Sequence, residues 1–228
     1  MNDLELKKLW QTTNEKLENS YVIHRKSAED ITRFKVHNFI GSMKPIKIFT
    51  LLVGILWVGV GVIVLSSIYL NSFSQANKFF LFSASIQVGL TAIAIFVYFY
   101  QLITIYQMDM TDPILKTQEN LAGLKISTLW VTRILFLQLP VWSTFWWNDT
   151  MFTEWNWLQW LITLIVTVLL TYVAIWLFFN IKYENMNKKW FKLIFNGKEW
   201  TQLIMSMQLL EQIDEYKTDL KSGTEVKG

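Results

Sequence analysis

The sequence predicts an all-α, polytopic membrane protein with four transmembrane helices and amphipathic cytoplasmic helices at both ends. The first observation is four long apolar segments, at about residues 46–70, 79–106, 129–147 and 157–179. At about 1.5 Å per residue each segment reaches the roughly 30 Å hydrocarbon thickness of a bilayer, the third only just. The second observation is composition, since 52% of the residues are hydrophobic and 16% are aromatic.

The third observation is where the positive charges lie. Of the 21 Lys and Arg residues, all except Lys78 and Arg133 lie in the tails, in the middle loop or, as Lys47, at the inner edge of the first segment. Under the positive-inside rule this alternation predicts a multi-pass protein whose N- and C-termini are both cytoplasmic. Since about 45 largely polar residues come before the first span, we expect that span to act as its own insertion signal.

Three regions follow from this division. Residues 1–45 form a cytoplasmic amphipathic tail, residues 46–180 form the transmembrane domain with its cytoplasmic loop 107–128, and residues 181–228 form a basic and amphipathic cytoplasmic tail. In the first tail we expect one helix that ends near Ser20 and a second helix over about 28–43.

Prolines mark the predicted helix boundaries. Pro45 precedes the first span, where its missing N–H costs little. Asp112 followed by Pro113 predicts a helix start with Asp as the N-cap, and this helix can run on into the third span. Pro140 predicts a kink in that span, or its local compensation by neighbouring groups.

Two tail helices carry apolar faces that need something to bury against. They can pack on each other as a cytoplasmic cap, or they can bind a cytosolic protein in a helix-to-groove manner, and both can hold. The candidate partner-binding residues are Leu6, Trp10, Leu17, Leu203, Met207, Leu210 and Ile213. The basic aromatic stretch Lys188–Lys198 is expected to lie on the anionic leaflet of the lipid bilayer, and binding of an outside partner is the alternative.

Polar residues inside the predicted spans are the other candidate sites. We expect Arg133 to be an anchor whose long side chain reaches the membrane interface. The alternative is that it forms part of an ion or substrate site. Small polar side chains in spans favour tight helix packing, and a polar conduit is the alternative. The residues concerned, besides Arg133, are Gln138, Thr163, Thr167 and Thr171. The spans contain no carboxylate and no His, which argues against proton-coupled transport.

Composition and motifs exclude several kinds of chemistry. The chain has no Cys, and its two His residues, His24 and His37, have no third ligand pattern near them, so we predict no metal site and no cofactor. No GxSxG, HExxH, Walker or GxGxxG motif is present, so we predict no catalytic residues and no enzyme activity. The net charge of +3 lies beside the spans, so we expect no direct nucleic-acid binding.

An aromatic belt is predicted where spans three and four meet: Trp142, Phe145, Trp146, Trp147, Phe152, Trp155, Trp157 and Trp160.

Three features together resemble a known group of proteins. They are the opening ELKKLWQ at Glu5–Gln11, the pattern from Asp112–Leu115 through Gln118 and Leu121 to Leu124–Lys125, and the closing amphipathic helix. The chain resembles small, uncharacterised four-span inner-membrane proteins of Bacteroidota-type bacteria, which are often encoded beside sigma-70-like factors and regarded as anti-sigma-like. The resemblance implies a bacterial inner-membrane location and a cytosolic partner such as a sigma factor, and the lack of Cys excludes the zinc-binding anti-sigma class.

The sequence therefore favours a non-enzymatic, membrane-tethered regulatory or interaction protein that binds a cytosolic partner. The alternatives are a small channel or transporter subunit that uses the polar residues of the spans, and a purely structural membrane protein.

Overall fold

The computed structural model describes residues 3–109, 111–154 and 156–225, and this part of the chain is helical without any strand. Its α-helices are α1 (Asp3–Asn71), α2 (Lys78–Gln107), α3 (Ile114–Phe136), α4 (Leu139–Thr144), α5 (Thr150–Glu154), α6 (Trp157–Asn180), α7 (Lys189–Ile194) and α8 (Lys198–Glu225). A 3-10 turn, Tyr183–Asn185, joins α6 to α7.

Four helical stretches are long and apolar enough to cross a membrane. They lie within α1, in α2, in α3 together with α4, and in α6. The predicted all-α architecture with four such helices is therefore confirmed. The first, second and fourth predicted spans end within a residue or so of the observed helix ends near Asn71, Gln107 and Asn180.

The first helix is longer than predicted. One continuous helix of 69 residues replaces the two tail helices and the first span, so the predicted end near Ser20 and the predicted start at Pro45 are both wrong. Pro45 lies inside the helix, where it lacks the N–H that would bond to Gly41. Buried contacts on either side of Pro45, those of Ile40 and Met43 before it and that of Lys47 with Glu199 after it, offset the lost bond.

The third span is interrupted near Pro140, as predicted. α3 ends at Phe136, and α4 begins at Leu139 with Pro140 in its first turn, where a missing N–H is tolerated. At the other end of α3 the expected Asp112 N-cap is wrong by one residue, because Pro113 occupies that position. Asp112 instead accepts from Lys116 at 2.7 Å, and this bond holds the pKa of the Asp112 carboxyl below its usual value.

The candidate spans are antiparallel to their chain neighbours, and small residues set the closest approach of α1 to α2. On α1, Gly54 faces Ile95 of α2 and Gly61 faces Val88, with no room for a larger side chain at Gly61. The order of the pairs runs in opposite directions along the two helices. α2 also packs against α3 and α4, and α6 packs against α3 and α4.

The helical bundle has two ends of different composition. The tail end comprises residues 3–45, 108–128 and 181–225, and the loop end comprises the connections 72–77 and 145–156. At the tail end α8 packs against α1 and α3. The tail-end core consists of nine buried residues: Val36, Ile40, Met43, Ile105, Met108, Leu121, Leu124, Leu203 and Leu210.

Candidate functional site

A buried lysine lies where the tail-end core meets the apolar spans. Lys47 of α1 is only 1% exposed, and its ammonium group donates to Gln101 Oε1 at 2.7 Å and to Glu199 Oε2 at 3.0 Å. The ammonium nitrogen also lies 4.7 Å from the centre of the Tyr98 ring. One carboxylate, one amide oxygen and one aromatic face therefore surround this charge.

The amide of Gln101 extends the contact to a third helix. While its oxygen accepts from Lys47, its nitrogen donates to Ser127 Oγ at 2.9 Å and lies 3.4 Å from Thr128 Oγ1. We call Lys47, Tyr98, Gln101, Ser127 and Glu199 the Lys47 cluster. Hydrogen bonds between its members join α1, α2, α3 and α8.

The chemistry of the Lys47 cluster is structural and orienting. A buried ion pair adds little net stability over an apolar replacement, yet losing one partner is costly because the other charge stays buried. The pair thus favours the observed position of α8 along α1, which brings Glu199 to Lys47. Sequence reasoning placed Lys47 at the inner edge of a span and did not predict this cluster, since its two partners are 54 and 152 residues away.

Predicted partner-binding residues of α8 are used within the protein itself. Leu203 and Leu210 are each 1% exposed and pack in the tail-end core, with Met207 packed against it. Their neighbours on α1 are Val36 and Ile40. The side chain of Ile213 lies outside the described residues.

Predicted partner-binding residues of α1 have a different environment. Trp10 is 71% exposed and Leu17 is 64% exposed, although both lie on the same helix as the buried Val36. The side chain of Leu6 lies outside the described residues. Among the described side chains, Trp10 and Leu17 are therefore not packed against Leu203 and Leu210, and α8 packs on a later part of α1.

Arg133 of α3 binds the C-terminal end of α6. Its Nε donates to the carbonyl oxygen of Ile181 at 2.7 Å, and its guanidinium lies 5.3 Å from the centre of the Trp130 ring. Ile181 is the residue that caps the C-terminal end of α6, where carbonyls lack intrahelical partners. A cation at this position also complements the helix dipole.

The other polar residues of the spans make separate contacts. Gln138 donates to Thr91 Oγ1 at 3.0 Å and so joins α4 to α2. Thr171 donates to the carbonyl oxygen of Thr167 at 2.7 Å within α6. Thr163 and Thr167 are partly buried on that helix. These hydrogen bonds are of the kind found within and between packed helices. They involve separate partners, Thr91 of α2 in one case and Thr167 of α6 in the other.

The loop end is built from aromatic rings and one asparagine. Asn77 accepts from the backbone N–H of Phe79 at 2.9 Å as the N-cap of α2, and its amide nitrogen donates to the carbonyl oxygen of Trp147. Rings of the predicted belt contact one another and Phe79, with Trp147 and Trp160 centroids 6.5 Å apart. Trp155 lies outside the described residues.

Metal ligands do not cluster in the described part of the chain, where no group of three or more His, Asp or Glu side chains could hold an ion. His24 is exposed and His37 is partly buried.

Comparison with protein-family models, with curated proteins and with solved structures found no match to this chain.

Proposed function

We propose that the protein is a non-enzymatic, multi-pass inner-membrane protein that tethers and regulates a cytosolic partner through its tail end. The distribution of charge supports this orientation. The loop-end connections hold Asp149 and Glu154, and Lys78 at the start of α2 is the one basic residue next to them, whereas the other Lys and Arg residues concentrate at the tail end. In bacterial membranes such an excess of basic residues marks the cytoplasmic side.

The observation that carries the proposal is an exposed apolar stripe on α1. Trp10, Leu17 and Ile31 are 71%, 64% and 56% exposed. At 3.6 residues per turn they fall within about 60° of one another around the helix axis. Val36 and Ile40, which face α8, lie roughly 120° away, so packing of α8 leaves the stripe uncovered.

This stripe is suited to lie in a hydrophobic groove of another protein, as amphipathic helices do when they bind. The α8 face is already covered, so α1 carries the binding surface. The segment Glu5–Gln11, which resembles the anti-sigma-like group, contains Trp10 of the stripe. A sigma-70-like factor is accordingly the partner that we propose.

The first arm of the test is capture of the partner by the detergent-solubilised full chain from the cytosol of a Bacteroidota bacterium. Leu17→Asp should reduce the recovered sigma-like factor at least fivefold, since it puts a charge in the apolar stripe. Val22→Asp is the matched control, because Val22 is also exposed at 56% but lies roughly 140° from Leu17 around the helix. Equal losses with both variants, or recovery of chaperones alone, would contradict the proposal.

The second arm tests orientation. Because the chain has no Cys, single cysteines can be placed at Asn148 of the loop end and Asn196 of the tail end, both of which are exposed. In intact cells a membrane-impermeant maleimide should label the first and not the second. Labelling of both from outside would overturn the proposed topology.

A further inference from the structure

An open groove of about 300 Å³ lies between α7 and α8 at the tail end. Its floor is aromatic: the Phe191 and Phe195 rings stack with centroids 4.3 Å apart, and the Trp200 ring lies 4.7 Å from that of Phe195. Phe191 and Phe195 are buried, so the floor is fixed by the fold. This volume is at the lower end of the range typical of small-ligand sites.

The rim of the groove is polar and basic. Lys192 lines it together with the side-chain amides of Asn187, Asn196 and Gln208, and no carboxylate is among the described residues of the lining. The ammonium group supplies a positive charge, and the amides supply neutral hydrogen-bond donors. The groove therefore offers an anion-binding rim above an apolar floor.

Charged groups on the neighbouring turns add to this balance. Lys188, Lys189 and Lys198 are exposed on or beside α7. Of the nearby acids, Glu184 is exposed in the 3-10 turn, and Glu199 is held by Lys47 in the Lys47 cluster. Glu211, one turn after Gln208 on α8, is a third acid and is exposed. The four lysines, Lys188, Lys189, Lys192 and Lys198, still outnumber these three acids, so the local charge around the groove is positive.

The groove also lies beside the end of a candidate span. α6 ends at Asn180, and α7 begins at Lys189 after the 3-10 turn. Trp190 of α7 packs against Trp176 of α6 with ring centroids 5.0 Å apart, which keeps α7 next to that span. On α7, Leu193 is 82% exposed. An exposed leucine between lysines is typical of a helix that lies in a membrane interface.

We propose that this groove binds one anionic phospholipid. The phosphate interacts with Lys192 and the amides of the rim, and the glycerol and the first acyl carbons lie against the aromatic floor. Charge complementarity and the packing of α7 beside the end of α6 argue for a lipid, because a free phosphate ion would leave the aromatic floor uncovered. The inference rests on the membrane placement proposed above and is independent of the protein partner.

The test uses the detergent-solubilised full chain, with dioleoylphosphatidylglycerol and dioleoylphosphatidylcholine as probes and native mass spectrometry as the readout. The wild-type protein should retain the anionic lipid in preference to the zwitterionic one. Lys192→Glu should weaken phosphatidylglycerol binding about tenfold, because reversing a charge next to an anionic headgroup removes attraction and adds repulsion. Thr201→Trp places an indole in the groove without changing charge and should weaken binding as well.

Lys35→Glu is the matched control, since it makes the same charge change at an exposed position of α1 away from the groove lining. Equal weakening with Lys35→Glu, unchanged binding with Thr201→Trp, or equal retention of both lipids would overturn the proposal. Alkaline carbonate extraction separates this outcome from failure of the membrane placement. Release of the wild-type chain by carbonate would reject the placement, whereas retention without lipid selectivity would reject the groove alone.

Discussion

The tail end and the loop end of the molecule are held together by different kinds of contact. At the tail end, an aliphatic core and the buried Lys47–Glu199 pair join α8, near the end of the chain, to α1, α2 and α3. At the loop end, aromatic rings and the cap at Asn77 join each candidate span to the next one, as in the contacts of Asn77 with Trp147 and of Phe80 with Phe145. The comparison indicates that the tail end depends on the return of α8 to the first helix, whereas the loop end is assembled from contacts between successive spans.

The largest expected effect comes from removing the acid of the buried pair. Glu199→Leu leaves the Lys47 ammonium buried with Gln101 as its remaining acceptor, and we expect a loss of about 3 kcal/mol in the free energy of unfolding. Reversible unfolding in mixed SDS micelles, followed by tryptophan fluorescence, measures this quantity.

The double variant Lys47→Met/Glu199→Leu is the control, because it removes both charges. It should recover more than half of the lost stability, as expected for a pair that orients α8 more than it stabilises the fold. A double variant as unstable as Glu199→Leu alone would show that the ion pair itself supplies the stability.

A smaller effect is expected at the loop-end half of the α1–α2 contact. An added Cβ at Gly61 would lie 2.7 Å from Val88 Cγ2, and a β-branched side chain in a helix has little freedom to move away. Gly61→Ala should therefore cost about 2 kcal/mol in the same unfolding measurement.

Gly59→Ala is the matched control on the same helix, because an added Cβ there meets nothing within 4 Å. It should leave stability unchanged or raise it by up to about 1 kcal/mol, since Ala favours the helix more than Gly does. Equal losses from the two substitutions would mean that backbone effects, and not the contact with Val88, limit the approach of α1 to α2.

The smallest effect is expected at the α2 cap. Asn77→Ala removes the acceptor for Phe79 and the donor to the Trp147 carbonyl, at a cost of about 1 kcal/mol. Asn77→Asp keeps the acceptor and loses only the donor, so its unfolding free energy should fall between those of the wild type and Asn77→Ala. If Asn77→Ala unfolds like the wild type, the contact with α4 and α5 does not depend on this cap.

Sequence reasoning predicted the apolar spans well, because each one is a continuous run of hydrophobic residues whose length is set by helix geometry. The break near Pro140 was also predictable, since proline acts on its own turn. The same local logic gave the wrong result at Pro45, where packing of Val36, Ile40 and Met43 against α8 keeps the helix continuous.

The Lys47 cluster could not be predicted in the same way. A lysine at the start of an apolar run is compatible with an interfacial anchor and with a buried ion pair. Which of the two forms depends on where α8 packs against α1. This packing brings together Lys47 and Glu199, which are 152 residues apart in the sequence. Apolar stripes have the same ambiguity: Leu210 and Leu17 were equivalent in the sequence, yet one is buried and the other exposed.

The unbroken course of α1 has a mechanical consequence. Packing against α8 begins at Val36, so the helix is fixed by the tail-end core on both sides of Pro45. The residues before Val36 extend about 50 Å at the rise of an α-helix. A change of about 10° in the direction of α1 at Val36 moves its N-terminal tip by about 9 Å. The position of the end that carries Trp10 therefore depends on how firmly α8 holds α1.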